Sequence, residues 1–234
     1  MSVSPVLITG GTRRLGRYCA ERLMEDGHPV IITWRTRGPA VDALERLGAR
    51  TMHADFSTRE GIEAFIEALI LQAPSLRAVI HNAGAAVEEC EGGAEQFDRQ
   101  FHINMMAPYL VNLAAYDLLM ASGESQRDII HLTDARTTSG CAHRPEYAAA
   151  KAGLDNLTRS FAKRFSPHIQ VNAIAPGLVM QHESDFEQAP VSQRAVLGPV
   201  PPGPLVIWEG LRYLLDTPFV TGITLPVDGS HHVA

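Results

Sequence analysis

Short unbroken apolar runs alternate along this chain with longer segments whose apolar residues recur every three or four positions. The runs fall at residues 6–9, 30–34, 78–81, 129–132, 171–174 and 223–227, and a more polar strand is expected around Arg50 to His53. Runs of four or five residues bounded by Gly, Pro or polar clusters predict buried strands. Helical periodicity predicts helices over 15–26, 39–47, 105–120, 146–165 and 205–215, and Ser57 with Glu60 reads as a capping box for another reaching about Gln72. Strand, helix, strand, repeated, implies a parallel sheet with helices on both faces, because parallel neighbours need a long crossover. Strands that are apolar throughout fit burial on both sides. The expected fold is therefore α/β, a doubly wound parallel sheet of Rossmann type, in one domain over 1–234. The tract 181–204, with five prolines and two glycines, reads as a mobile flap over a substrate pocket.

Composition narrows the function. A hydrophobic content of 45% supports one large core, and a net charge of −6 with no basic block beyond Arg13-Arg14 argues against a nucleic-acid surface. No apolar run is long enough to span a bilayer, and no basic start precedes an apolar stretch as in an export signal. Three cysteines and ten histidines show no metal-ligand spacing, so no metal is expected, and free thiols fit a cytoplasmic protein.

The first predicted strand runs straight into Thr9-Gly10-Gly11-Thr12-Arg13-Arg14-Leu15-Gly16, and a helix follows. A glycine-rich turn at that place lets backbone N–H groups and a helix N-terminus approach a pyrophosphate. Gly10 suits the tight turn and Gly16 suits close packing of helix on strand. An NAD site usually carries an acid at the end of the second strand, to hold the ribose hydroxyls. Here that strand ends Trp34-Arg35-Thr36-Arg37, with no acid. Guanidinium groups at Arg13, Arg14 and Arg35 suit an extra phosphate, so the expected cofactor is NADPH; some of these arginines can equally be solvated surface residues.

Tyr147 and Lys151 stand four apart, on one face of a predicted helix. An ammonium beside a phenol is expected to lower the phenol's pKa and make it a usable proton donor and acceptor. Asp134, thirteen residues before Tyr147, has two readings: a charged group of the site, or the turn residue of Thr133-Asp134-Ala135.

Together these motifs resemble the short-chain dehydrogenase/reductase family over essentially the whole chain. His81-Asn82-Ala83-Gly84 is similar to the family's NNAG turn, and Val227-Asp228-Gly229 closes the chain as in many members. The resemblance implies a cofactor site with Thr12 and Leu15 in the glycine loop, Thr36 beside Arg35, and Asp55 with Phe56 at the adenine. It implies Asn82, Ala83 and Gly84 under the cofactor, Tyr147 and Lys151 at the nicotinamide ribose, and Pro176, Gly177 and Val179 at the nicotinamide. Asn104 matches the residue that holds a relay water, and the family's small-residue helix, here Ala148 to Ala152, implies a homotetramer.

Two departures point to a branch. Arg14 stands where the family usually has glycine, and Asp134 where it usually has the catalytic serine. Both resemble the pteridine reductases, and several shorter stretches are most similar to bacterial enzymes that reduce dihydromonapterin and, weakly, dihydrofolate. An ionised carboxylate cannot donate to a developing alkoxide, but it accepts from the amino and ring N–H groups of a pterin. The expected reaction is NADPH-dependent reduction of a dihydropterin C=N bond, dihydromonapterin to tetrahydromonapterin. A carbonyl reductase or alcohol dehydrogenase, and a non-catalytic NADPH sensor, stay open. The branch's stacking aromatic has no counterpart near Ala86, which favours the carbonyl reading.

Overall fold

A computed structural model describes residues 3–84, 93–137, 139–180, 197 and 202–230. Seven parallel strands, β1 (Val6–Ile8), β2 (Val30–Trp34), β3 (Arg50–His53), β4 (Ala78–His81), β5 (Asp128–Leu132), β6 (Gln170–Pro176) and β7 (Thr224–Val227), form one sheet in the order β3-β2-β1-β4-β5-β6-β7. The order reverses beside β1, whose Val6 pairs with Val30 on one side and Ala78 on the other. A crevice therefore opens beyond the carboxyl ends of β1 and β4, the usual ligand position in a doubly wound sheet.

Alternate side chains of each strand enter opposite cores. Leu7, Ile31, Val79, Ile129 and Val171 pack on α3 (Arg59–Gln72), α5 (Ala107–Met120) and α6 (Pro145–Phe165) through Phe65, Leu119 and Phe161. Val6, Ile8, Ile32, Ile80 and Ile130 pack on α1 (Arg14–Glu25), α2 (Pro39–Arg46) and α7 (Leu205–Asp216) through Leu23, Leu44 and Leu211. This two-sided burial explains why the central strands read as apolar runs, whereas the edge strand β3, Arg50-Thr51-Met52-His53, buries only Met52.

Two expectations are corrected. The cap of α3 is Thr58, whose Oγ1 accepts from the Gly61 N–H at 3.1 Å; Ser57 instead donates its hydroxyl to Asp55. Helical structure also begins well before residue 105, with α4 (Ala94–Phe101) and a π-helical turn, His102–Met106, leading into α5. Phe97 and Phe101 stand four apart on α4, but Phe97 is exposed and the buried side chain is the polar Gln100, so this short helix adds no apolar stripe to the core. The Asn104 side-chain amide donates to Gln100 twice, to its carbonyl at 3.1 Å and to its Oε1 at 2.8 Å. Most of the 181–204 tract, and Ala86, lie outside the described residues. Among the described residues no helix is long and apolar enough to cross a membrane.

Candidate active site

The crevice holds a cavity of about 810 Å³ at the carboxyl ends of the strands. Gly10, Thr12, Arg13, Arg14, Leu15, Arg35, Thr36, Asp55 and Phe56 line one end; Asn82, Ala83 and Gly84 lie in the middle. Asp134, Tyr147, Lys151, Pro176, Gly177 and Val179 line the other end. Gly16 and Asn104 lie one layer behind the wall, at 0% exposure in the case of Asn104.

The glycine loop is held by close approach. Gly10 adopts φ +65°, where a Cβ would also lie 2.9 Å from the Ala83 Cα. A Cβ on Gly16 would lie 2.3 Å from Asn82 Nδ2 and 2.5 Å from the Gly10 carbonyl oxygen. Asn82 uses that space: its amide donates to the carbonyls of Thr9 (3.0 Å) and Gly10 (2.9 Å). Two hydroxyls that sequence reasoning missed complete the scaffold. Thr9 Oγ1 accepts from the N–H groups of Asn82 and Ala83, and Thr33 Oγ1 accepts from the Gly10 N–H at 2.9 Å. Such contacts join β1, β2 and β4 across long sequence separations, so no local pattern could show them.

Arg14 has φ +47°, a left-handed backbone that costs a non-glycine residue about 1–2 kcal/mol. Its Nη2 reaches the Met180 carbonyl at 3.1 Å, tying the loop to the segment after β6. At the start of α1 no side chain caps the first turn, leaving its N–H groups available to an anion. Arg37 is engaged elsewhere: it pairs with Asp42 at 2.7 Å and Glu45 at 2.6 Å. Arg13 and Arg35 form no ion pair with a described residue and are exposed. Asp55 is held below the ordinary carboxylate range by the Ser57 hydroxyl, with smaller help from Arg35.

At the other end, the two readings of Asp134 divide its carboxylate. Oδ1 accepts from the Arg136 backbone N–H at 2.8 Å, the turn contact; Oδ2 accepts from the Tyr147 hydroxyl at 3.2 Å. Lys151 donates to the Leu132 carbonyl at 2.7 Å, with Nζ 5.8 Å from the centre of the Tyr147 ring. The expected lowering of the Tyr147 pKa is therefore overturned. Burial, then the Asp134 charge and hydrogen bond, raise it, and Arg144 and Arg136 oppose this. Burial pulls Lys151 down to about 8, opposed by Asp134.

Asn104 Oδ1 is buried without a hydrogen-bond partner among the described residues. A Cβ on Gly84 would lie 3.2 Å from it and 3.4 Å from Lys151 Nζ, so the three converge. Behind them runs a buried polar chain: His81 Nε2 to Asn112 Oδ1, Asn112 Nδ2 to His131 Nε2, and His131 Nδ1 to Thr158. Thr158 donates to the Leu154 carbonyl, so it accepts from His131 Nδ1–H. His131 Nε2 is then the acceptor for the Asn112 amide, and both rings are neutral. Burial holds His81 at about 4. Among the described residues no cluster could hold a metal.

A family model described as short chain dehydrogenase matches residues 4–189. Dihydromonapterin reductase of Citrobacter koseri is 41% identical over 234 residues, covering 98% of this chain and 97% of that protein. The dihydromonapterin reductase of Escherichia coli O6:K15:H31 is 41% identical over 237 residues, with the same coverage. Among solved structures, FolM alternative dihydrofolate reductase 1 from Brucella canis, complexed with NADP, superposes with a TM-score of 0.85 at 26% identity, covering 99% of this chain and 95% of that one. Acetoin dehydrogenase from Enterobacter cloacae matches with a TM-score of 0.85 at 25% identity, covering 100% and 97%. Its sheet order, its cavity at the switch point and these matches agree: this chain is an oxidoreductase belonging to the short-chain dehydrogenase/reductase family.

Proposed function

We propose that this enzyme reduces the C=N bond of a dihydropterin with NADPH, most directly dihydromonapterin to tetrahydromonapterin, with dihydrofolate as a further substrate. The observation that carries this reading is the Asp134 carboxylate bonded to the Tyr147 hydroxyl, where a carbonyl reductase needs a neutral donor. The 41% identity to dihydromonapterin reductases supports it.

The residues fit the cofactor. The tight loop that Gly10 and Gly16 allow by close approach to Ala83 and Asn82, and the start of α1, where Arg13 makes no side-chain cap, suit a pyrophosphate. Arg13, Arg14, Arg35 and Thr36 suit the 2′-phosphate end, and Asp55 with Phe56 the adenine. Lys151 would hold the nicotinamide ribose, and Pro176, Gly177 and Val179 would line the nicotinamide. Bound NADPH supplies the hydride to a ring carbon of the substrate. Tyr147, kept protonated by its raised pKa, donates the proton to the ring nitrogen, so the C=N bond becomes CH–NH. Asp134 accepts from the substrate's amino and ring N–H groups. Asn104 Oδ1, buried beside Lys151, would hold a relay water through which a proton returns to Tyr147.

The reading extends to a single domain over 1–234, a cytoplasmic place of action, and a homotetramer. Exposed Phe97 on α4 and Tyr109 on α5 support an assembly surface on that side. A carbonyl substrate is the second reading, favoured by the likeness to acetoin dehydrogenases. NADPH oxidation measured with dihydromonapterin, dihydrofolate and a carbonyl panel tests both. Turnover of carbonyls with none of dihydropterins overturns the first.

A further inference from the structure

The substrate end of the cavity carries two guanidinium groups that the proposed reduction does not use. Arg136 sits in the turn after β5, and Arg144 stands at the start of α6, three residues before Tyr147. Both line the cavity. The Arg144 guanidinium lies 5.6 Å from the centre of the Tyr147 ring, and Arg136 Nε lies 3.9 Å from Asp134 Oδ1. Both fields reach the phenol, whose ionisation they favour.

Among the described residues only Asp134 pairs with either guanidinium, at a long 3.9 Å from Arg136 Nε, which leaves two cations against one carboxylate. Asp134 is already shared between the Tyr147 hydroxyl and the Arg136 backbone, and Glu146 accepts from the Gln96 amide. Arg144 forms no ion pair among the described residues. Lys151 adds a third cation behind them, and the N-terminal end of the 21-residue α6 adds a partial positive charge. In a chain of net charge −6 this is a local concentration, not a background.

A nicotinamide cofactor cannot supply the matching anion. Its phosphates belong at the far end of the cavity, with Arg13, Arg14 and Arg35, and its oxidised ring is itself a cation. The complement must come from the substrate. We infer that Arg136 and Arg144 form a subsite for an anionic side chain, a carboxylate or phosphate ester carried by the dihydropterin beyond its reacting ring. Planar guanidinium forks bind both groups in bidentate fashion. Arg136, 34% exposed at its side chain, is open to a substituent reaching outward. The inference rests on the dihydropterin reading and deepens it: ring recognition stays with Asp134 and Tyr147, and the arginines select what the ring carries.

The test compares kcat/KM on three substrates: dihydromonapterin, whose side chain is neutral; dihydrofolate, which ends in carboxylates; and a dihydropterin with a phosphorylated side chain. The full-length enzyme, Arg144→Gln, Arg136→Gln and Arg144→Glu are measured with saturating NADPH. The readout is the ratio of anionic to neutral substrate, which cancels any common loss from a disturbed Tyr147 or Asp134. Loss of a charged hydrogen bond lowers that ratio about ten- to a hundredfold. Arg144→Glu lowers it further, and raised salt lowers it in the wild type more than in the variants. A fall confined to dihydrofolate identifies a carboxylate subsite, and a fall confined to the phosphorylated substrate a phosphate subsite. Good turnover of dihydropterins with the ratio unchanged in every variant overturns the subsite alone. A wild type that turns over none of the three overturns the dihydropterin reading and the subsite with it.

Discussion

Replacing Asp134 by asparagine tests whether its charge sets the protonation of Tyr147. In the wild type, Oδ2 lies 3.2 Å from the phenol oxygen, so a phenolate would face a carboxylate at contact distance. Two unit charges at that separation repel by about 1.3 kcal/mol in a water-like medium and about 5 kcal/mol at an effective dielectric constant near 20. The Asp134 side chain is 20% exposed, which places the interaction between these limits. Removing the charge should let the phenol ionise about one to four pH units lower. The amide introduced by Asp134→Asn can also donate to the phenolate, which adds to the change. Lys151 moves the same way, because Asp134 is what holds its ammonium against burial.

Both effects shift the basic limb of the kcat/KM profile toward lower pH, and dihydropterin turnover falls at neutral pH. Ultraviolet titration of tyrosinate, with Tyr147→Phe as the blank for the other four tyrosines, separates phenol from ammonium. A Tyr147 titration that does not move in Asp134→Asn would refute the reasoning, and Asp134 would then be the turn residue alone.

Three further outcomes follow from the same geometry. Tyr147→Phe should lower turnover by about 10²–10⁴ with NADPH binding retained, because it removes a general acid and keeps the ring; full activity would assign the proton to Asp134 or water. Arg35→Asp should weaken NADPH about tenfold or more relative to NADH, while Arg37→Ala, already paired with Asp42 and Glu45, should leave the preference nearly unchanged; cofactor titrations that reverse this order would contradict the assignment. Lys151, depressed from an ordinary 10.5 to about 8, binds fewer protons folded than unfolded between those values, so its ionisation penalises the fold below about pH 8 and the penalty disappears as pH rises toward 10.5. Wild-type stability relative to Lys151→Met should therefore rise by roughly 3 kcal/mol across that window in denaturant unfolding; a flat difference would show that the ammonium is not desolvated.

The strands and the cofactor loop were legible in the sequence for a common reason. Each depends on residues close in the chain: β2 opens with three apolar residues in a row, Val30, Ile31 and Ile32, and Gly10 and Gly16 flank one turn. What could not be read depends on contacts across the fold. Thr9 and Thr33 look like ordinary strand residues until β4 and β1 bring Asn82 and Gly10 to their hydroxyls. Helix α4 was missed because its buried position is Gln100, whose carbonyls serve Asn104. Tyr147 is the most instructive case. The i, i+4 spacing correctly placed Lys151 on its face of α6, yet Nζ turns to the Leu132 carbonyl and Asp134, thirteen residues away, contacts the hydroxyl. Spacing identified the partners, and tertiary contact decided which charge prevails.

That outcome bears on the direction of catalysis. Oxidation of an alcohol needs a base, so a dehydrogenase gains from a phenolate held by a nearby ammonium. Reduction needs an acid that keeps its proton until the hydride arrives. Here a carboxylate stands against the hydroxyl and burial disfavours the phenolate further, so Tyr147 remains a donor across the neutral range. A ring nitrogen that becomes basic as hydride reaches its neighbouring carbon is a fitting acceptor for such a donor, whereas a developing alkoxide would be repelled by Asp134. The charge arrangement around one hydroxyl thus favours reduction over oxidation, and a C=N bond over a C=O bond, on the same electrostatic ground.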